Sequence, residues 1–189
     1  MSTVSSTCIT RRGLLTAFAA SAITAAPTYS NAAGFLRGAG DIRKLKAYSG
    51  RTGESIEMIY WVEGEYLRDS LKEINWFMRD WRQDKAIKMD TRTIDVMAAA
   101  HNLMDTPEPY LLLSGYRTPQ TNLMLRSRTG GVAKKSLHMK GQAADLRVSG
   151  RSVSQMARAA QACGGGGVGR YTKSNFVHMD CGIVRTWGR

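Results

Sequence analysis

Between Glu65 and Arg82, the residues Leu67, Leu71, Ile74, Phe77, Met78 and Trp81 recur at three- and four-residue intervals, with Arg, Lys and Glu between them. That spacing predicts an amphipathic helix whose apolar stripe needs another element to bury it. The flanking segments supply candidates. Lys44–Ser49 and Ser55–Val62 read as strands around the turn Arg51-Thr52-Gly53, a hairpin signal. A second helix is expected over Thr91–Met104, and the run Tyr110-Leu111-Leu112-Leu113 within Pro109–Tyr116 suits a buried strand. Thr118-Pro119 offers an N-cap followed by proline at the first helical position, opening a helix to about Arg128. Beyond it, Gln142–Val148 reads as a strand, Ser152–Ala162 as a helix and Gly164–Gly167 as a hinge. Val168–Tyr171 and Phe176–Cys181 close the chain as a hairpin. The expectation is a single α+β domain, an antiparallel sheet with packed helices.

The first 32 residues stand apart. They hold no acidic residue, and their only charges are the pair Arg11-Arg12, followed by an Ala-rich apolar stretch from Gly13 to Ala26 and the small residues Ser30-Asn31-Ala32. This is the layout of a cleaved secretory signal, residues 1–32. The segment Thr10-Arg11-Arg12-Gly13-Leu14-Leu15 resembles a twin-arginine (Tat) signal, which implies export to the periplasm. Cleavage after Ala32 leaves residues 33–189, a length that suits one domain with a sizeable core. No apolar run reaches the roughly 18–20 residues needed to cross a bilayer, so no stable membrane insertion is expected once the signal is gone.

The chain carries 27 Lys and Arg against 15 Asp and Glu, a formal charge of +12. Such a surplus favours polyanionic partners. Nucleic acid is set aside, because export removes the chromosome as a partner and no zinc-finger, helix-turn-helix or aromatic-interleaved basic motif is present. After export two of three cysteines remain, Cys163 and Cys181. They either bridge at the open end of the terminal hairpin or stay as separate thiols.

Three stretches combine polar residues with apolar neighbours in a way that packing does not require. They are Ser114–Arg117, Ser136–Asp145 and Asn175–Asp180. Two of the three histidines of the chain fall in them, while His101 lies in the second helix without an acid or thiol at ligand spacing and reads as structural. A catalytic zinc takes three protein ligands, often two imidazoles and a carboxylate, and leaves the fourth position to water. His138, Asp145 and His178 offer that donor set, with the small residues Gly141, Ala143 and Ala144 between the first two. Spacing alone equally allows a surface His138, a salt-bridged Asp145 and a packed His178.

The pattern S-x-H-x-x-G-x-A-x-D (Ser136, His138, Gly141, Ala143, Asp145), joined to the late pair Phe176 and His178, resembles the M15-type zinc peptidases. These share the fold of the D-Ala-D-Ala peptidases and the hedgehog signalling domain. Within the group the chain is most similar to the exported YcbK-like branch, through Thr52–Ser55, Ser114–Arg117, Gly131–Ser136, Gly166–Gly169 and Ser174–His178. The resemblance runs from about residue 40 to the C-terminus. It implies a zinc metallopeptidase with metal ligands His138, Asp145 and His178, acting on peptidoglycan stem peptides or cross-links. It also implies that Arg117 binds a substrate carboxylate or stabilises the oxyanion.

The better-known members carry an acid three residues before the final histidine, where this chain has Asn175. Asp180 is the nearest carboxylate, and it either takes the proton of the attacking water or holds the His178 ring from behind. Arg126, Arg128, Lys134 and Lys135 offer a positive rim for stem-peptide carboxylates. The leading reading is therefore an exported murein endopeptidase. The alternative is a weakly active or inactive module of the same fold that binds peptidoglycan.

Overall fold

The computed structural model describes residues 38–188, so the expected signal segment 1–32 lies outside the described residues. One eight-stranded sheet organises the domain. In chain order the elements are β1 Ile42–Tyr48, β2 Ser55–Val62, β3 Glu65–Tyr66, α1 Arg68–Phe77, α2 Thr91–Met104, β4 Tyr110–Ser114, α3 Pro119–Arg128, a short 3-10 helix Leu137–Lys140, β5 Ala143–Val148, α4 Val153–Cys163, β6 Gly167–Tyr171, β7 Phe176–Asp180 and β8 Arg185–Gly188. The strand order is β3-β2-β1-β4-β5-β7-β6-β8.

The α+β class and the single domain expected from the sequence describe these residues. The antiparallel expectation needs one correction: the sheet is mixed, because β1 pairs in parallel with β4 and β6 in parallel with β8. The first pairing follows from the long connection through α1 and α2, which returns the chain in the direction of β1. The remaining ladders are antiparallel.

The helices follow local chemistry. Asp90 caps α2 by accepting from the Arg92 N–H, and Thr118 caps α3 by accepting from Thr121, with proline next in line. Ser152 and Gln155 form a reciprocal capping box at α4, which ends at Gly164 in the left-handed region. α2 and α4 pack against each other, and both bury small residues, Ala98, Ala99 and Ala100 on one and Ala157, Ala159 and Ala160 on the other. They cover one face of the sheet, where Leu45, Tyr110, Leu146, Val177 and Met179 are buried.

α1 is shorter than the apolar stripe suggests, and both differences have tertiary causes. Its expected first turn is instead the strand β3, folded back on β2 through Glu63 and Gly64, both at positive φ. At the other end the Met78 carbonyl accepts the Tyr116 N–H at 2.8 Å, and the Asp80–Lys85 bridge turns the chain away. A buried carboxylate, Asp95 on α2, ties the outer strands to the helix layer. It accepts from the Tyr60 and Tyr66 hydroxyls at 3.0 and 2.6 Å and pairs with Arg43 at 2.9 Å. Burial and the Asp95 carboxylate push the Tyr66 phenol up to about 12, against the pull of Arg43. No helix among the described residues is long and apolar enough to cross a membrane.

Candidate metal centre

The sheet face opposite α2 and α4 carries the polar residues. Along β5 the core residues Ala144 and Leu146 flank Asp145, and along β7 Val177 and Met179 flank His178, so both polar side chains project to the other face. Asp145 stands directly opposite His178 in the β5–β7 ladder. His138 reaches the same point from the 3-10 helix, which Gly141 ends with a φ of 68°. A side chain at that glycine would press on the Lys88 carbonyl.

The three expected ligands converge. His138 Nε2 lies 3.2 Å from Asp145 Oδ1 and 3.2 Å from His178 Nδ1, and His178 Nδ1 lies 3.0 Å from Asp145 Oδ1. Their backing groups fix which ring atom faces inward. His138 Nδ1 is 2.7 Å from the Gly115 carbonyl, which can only accept, so Nδ1 carries the hydrogen and Nε2 presents its lone pair. His178 Nε2 is 3.0 Å from Asp180 Oδ2, which likewise leaves Nδ1 as the inward atom. Three acceptors thus crowd one point, an arrangement that calls for a cation. A tetrahedral zinc with bonds of about 2.0–2.1 Å holds its ligand atoms about 3.3–3.4 Å apart. The observed triangle fits that requirement to within a few tenths of an ångström, and the donor set is one that zinc accepts.

The electrostatics of His138 and Asp145 agree, whereas His178, against its burial, is pulled toward its charged form by hydrogen bonding at both ring nitrogens. Burial lowers the His138 pKa and keeps the ring neutral, the form that ligates. Asp145 is held well below the usual carboxylate range, since His138, His178 and Arg117 outweigh the opposing effect of its burial. For His178 burial again opposes the charged form, but hydrogen bonds to Asp145 and Asp180 prevail and raise its pKa.

Each residue of the Ser114–Arg117 stretch has a defined place. Ser114 Oγ accepts from Arg117 Nε at 2.8 Å, and the Gly115 carbonyl orients His138. A Cβ at Gly115 would stand 2.4 Å from the Met78 carbonyl, so only glycine lets this turn sit where it does. Arg117 donates through Nη2 to Asp145 Oδ2 and forms an ion pair with it, while its Nη1 has no hydrogen-bond partner among the described residues.

Asp180 is fully buried behind His178. Besides the His178 ring it accepts from the Gly167 and Gly182 N–H groups at 3.0 and 2.9 Å and from both terminal nitrogens of Arg185. Asn175 occupies an exposed turn between β6 and β7 with a φ of 50°, a conformation asparagine tolerates. Its carbonyl accepts from Arg147.

Sequence reasoning missed Arg185 and Trp187. Glycine at 169 stands opposite both His178 and Trp187, and the indole lies across it, 5.2 Å from the His178 ring. A Cβ at Gly169 would meet that indole at 2.6 Å. The available signal was the alternation Arg185-Thr186-Trp187, which sends both large side chains to one face of a strand. Cys163 and Cys181 are free and buried, with Cys163 donating to the Ala159 carbonyl and Cys181 accepting from Thr93. His101 bonds the Glu108 carbonyl and packs edge-on against Tyr110.

With this geometry in view, the family model described as "Peptidoglycan L,D-endopeptidase MepK" matches residues 37–187. The chain belongs to this peptidase family. Among its relatives, peptidoglycan L,D-endopeptidase MepK of Escherichia coli K12 is 43% identical over 136 residues, covering 72% of this chain and 75% of the relative. The probable peptidoglycan L,D-endopeptidase MepK of Haemophilus influenzae is 34% identical over 137 residues, covering 72% and 74%. The family match takes in all of Ser114–Arg117, the three converging donors, and the β8 residues Arg185 and Trp187.

Proposed function

We propose that this protein is an exported, zinc-dependent murein endopeptidase. The observation that carries this reading is the triangle of inward lone pairs on His138, Asp145 and His178, set in a chain of peptidase descent. The names of the relatives support an L,D bond as the one cut, which is the bond of the 3-3 link between diaminopimelate residues and not of the 4-3 link from D-Ala to diaminopimelate.

When bound, zinc polarises the scissile carbonyl and lowers the pKa of a coordinated water toward about 7. The protein residues prepare that chemistry. Gly115 and Asp180 hold the two imidazoles with their lone pairs inward, and Asp145 contributes the negative charge. Arg117 balances Asp145 through Nη2 and offers Nη1 to a substrate oxygen, carbonyl or carboxylate. Of the two roles open to Asp180, orientation of His178 suits its burial and its full set of donors better than proton transfer. The second reading, a module that binds peptidoglycan without turnover, draws on Asn175 at the usual position of the acid.

The deciding test is chromatography of sacculi incubated with the protein plus zinc, plus EDTA, or with His138→Ala. Loss of 3-3 dimers in the zinc sample alone is expected. Unchanged profiles with confirmed zinc loading would transfer the assignment to the binding module.

Residues 1–32 are proposed as a cleaved twin-arginine signal that delivers the domain to the periplasm. Changing Arg11 and Arg12 together to lysine is expected to leave the uncleaved chain in the cytoplasmic fraction. Normal processing of that variant would assign export to another route.

A further inference from the structure

We infer that Arg51 and Arg82, gathered on the Trp81 indole, form a second binding site, one that takes a free carboxylate of the peptide substrate. This rests on the peptidase reading and extends it to a part of the molecule remote in sequence from the ligands.

The geometry begins with Trp81, which follows the end of α1. The Arg82 guanidinium lies 4.1 Å from the centre of its ring, and that of Arg51, from the β1–β2 turn, lies 5.5 Å from it. Two cations sharing one indole are brought together by the ring face, although their charges repel. Asp80 fastens this turn to the metal centre. Its Oδ1 accepts from the Arg82 N–H at 3.1 Å, and its Oδ2 accepts from both the N–H and the hydroxyl of Thr118, each at 2.8 Å. Thr118 follows Arg117, whose guanidinium touches Asp145, so the arginine group is continuous with the ligand triangle.

What the group lacks is an anion. Among the described residues, Arg51, Arg82 and Arg128 form no side-chain hydrogen bond and no ion pair, in contrast to Arg79 nearby, which is paired with Glu54 and Asp84. Asp80, two residues before Arg82, is engaged by Thr118 and the Arg82 backbone. The crowding registers on Arg82 itself: partial burial and, against the pull of Asp80, the charges of Arg51, Arg117 and Arg128 lower its pKa. The Trp81 Nε1–H is buried without a partner, which adds one more donor and no acceptor. A site made of donors alone selects an anion, and the planar guanidinium fork suits a carboxylate. Cross-linked stem peptides carry such carboxylates at positions separate from the bond being cut.

The test compares the full chain with Arg51→Gln/Arg82→Gln on two substrates, a cross-linked muropeptide dimer with free carboxylates and the same dimer amidated at them. A charge-assisted pair lost from a binding site raises KM by roughly ten-fold or more. That rise is expected for the variant on the free-acid dimer and for the unaltered protein on the amidated dimer, with no further rise when both changes are combined. Arg68→Gln/Arg158→Gln, which removes the same charge from exposed helix positions, is expected to leave KM unchanged. An equal rise there, or a variant effect of the same size on both dimers, overturns the inference. Arg51→Lys/Arg82→Lys, which keeps the charge and loses the fork, guards against a folding defect and is expected to retain a raised KM. Calorimetric binding of both dimers to zinc-depleted protein separates this inference from the reading it rests on. Carboxylate-dependent, arginine-dependent binding without any cleavage would sustain the site and remove the peptidase, and cleavage with indifferent arginines would do the reverse.

Discussion

Asp145→Ala is expected to abolish stoichiometric zinc binding and to lower kcat/KM on cross-linked peptide by at least about 10³-fold. A metal supplies several kcal/mol of charge stabilisation to such a reaction, and each 1.36 kcal/mol is a factor of ten. The effect should exceed that of removing a neutral ligand for a reason specific to this fold. Asp145 is also the anion that balances Arg117, so its loss leaves a largely buried guanidinium facing two imidazoles. Asp145→Asn keeps the shape and one neutral oxygen, and should fall between the extremes in metal content. The measurement is zinc per chain by atomic absorption beside kcat/KM in excess zinc. A variant that keeps one zinc and stays within three-fold of the original rate would remove Asp145 from the ligand set.

Asp180→Ala should be the more damaging change to the folded state. Its carboxylate, itself fully buried, is the shared acceptor for His178, Arg185 and the N–H groups of Gly167 and Gly182. Removing it is expected to cost about 3–5 kcal/mol of stability, read from the urea midpoint. Zinc affinity should fall roughly 10–100-fold, because the His178 ring loses the partner that fixes its orientation. This pair of readouts separates the two roles that the sequence leaves open. A general base predicts lost kcat and a lost acidic limb of the pH profile at unchanged zinc affinity, whereas a group that orients the ring predicts the affinity loss.

Much of this arrangement is legible in the chain itself. The bounds of β2, α2 and α3 follow from alternation, helical period and caps, because those signals are local. Imidazole and carboxylate chemistry made the three converging donors candidates in a chain with three histidines, and the family resemblance, not spacing, singled them out as a set. What escaped detection depends on distant partners. The true end of α1 is set by Tyr116, almost forty residues away, which takes the carbonyl of Met78. β8 has four residues and pairs in parallel with β6, so no turn announces it and the short alternation Arg185-Thr186-Trp187 is its one local signal. Arg51 and Arg82 lie far apart in the chain, and only the fold places both on Trp81.

The ladder between β5 and β7 has a consequence for how faithfully the centre is made. Val177 and Met179 are wholly buried on one side of β7, while His178 and Asp180 face the other. A slip of β7 by one residue would turn the imidazole and carboxylate into the hydrocarbon layer and push valine and methionine out. That exchange strongly disfavours a slipped register, and the Cys181 N–H held by the Gln142 carbonyl pins the far end of the strand. The centre is thus made in a quantised way. A damaged chain will hold a sound centre in some fraction of its molecules and none in the rest, so preparations should lose active fraction while the surviving molecules keep their ordinary turnover.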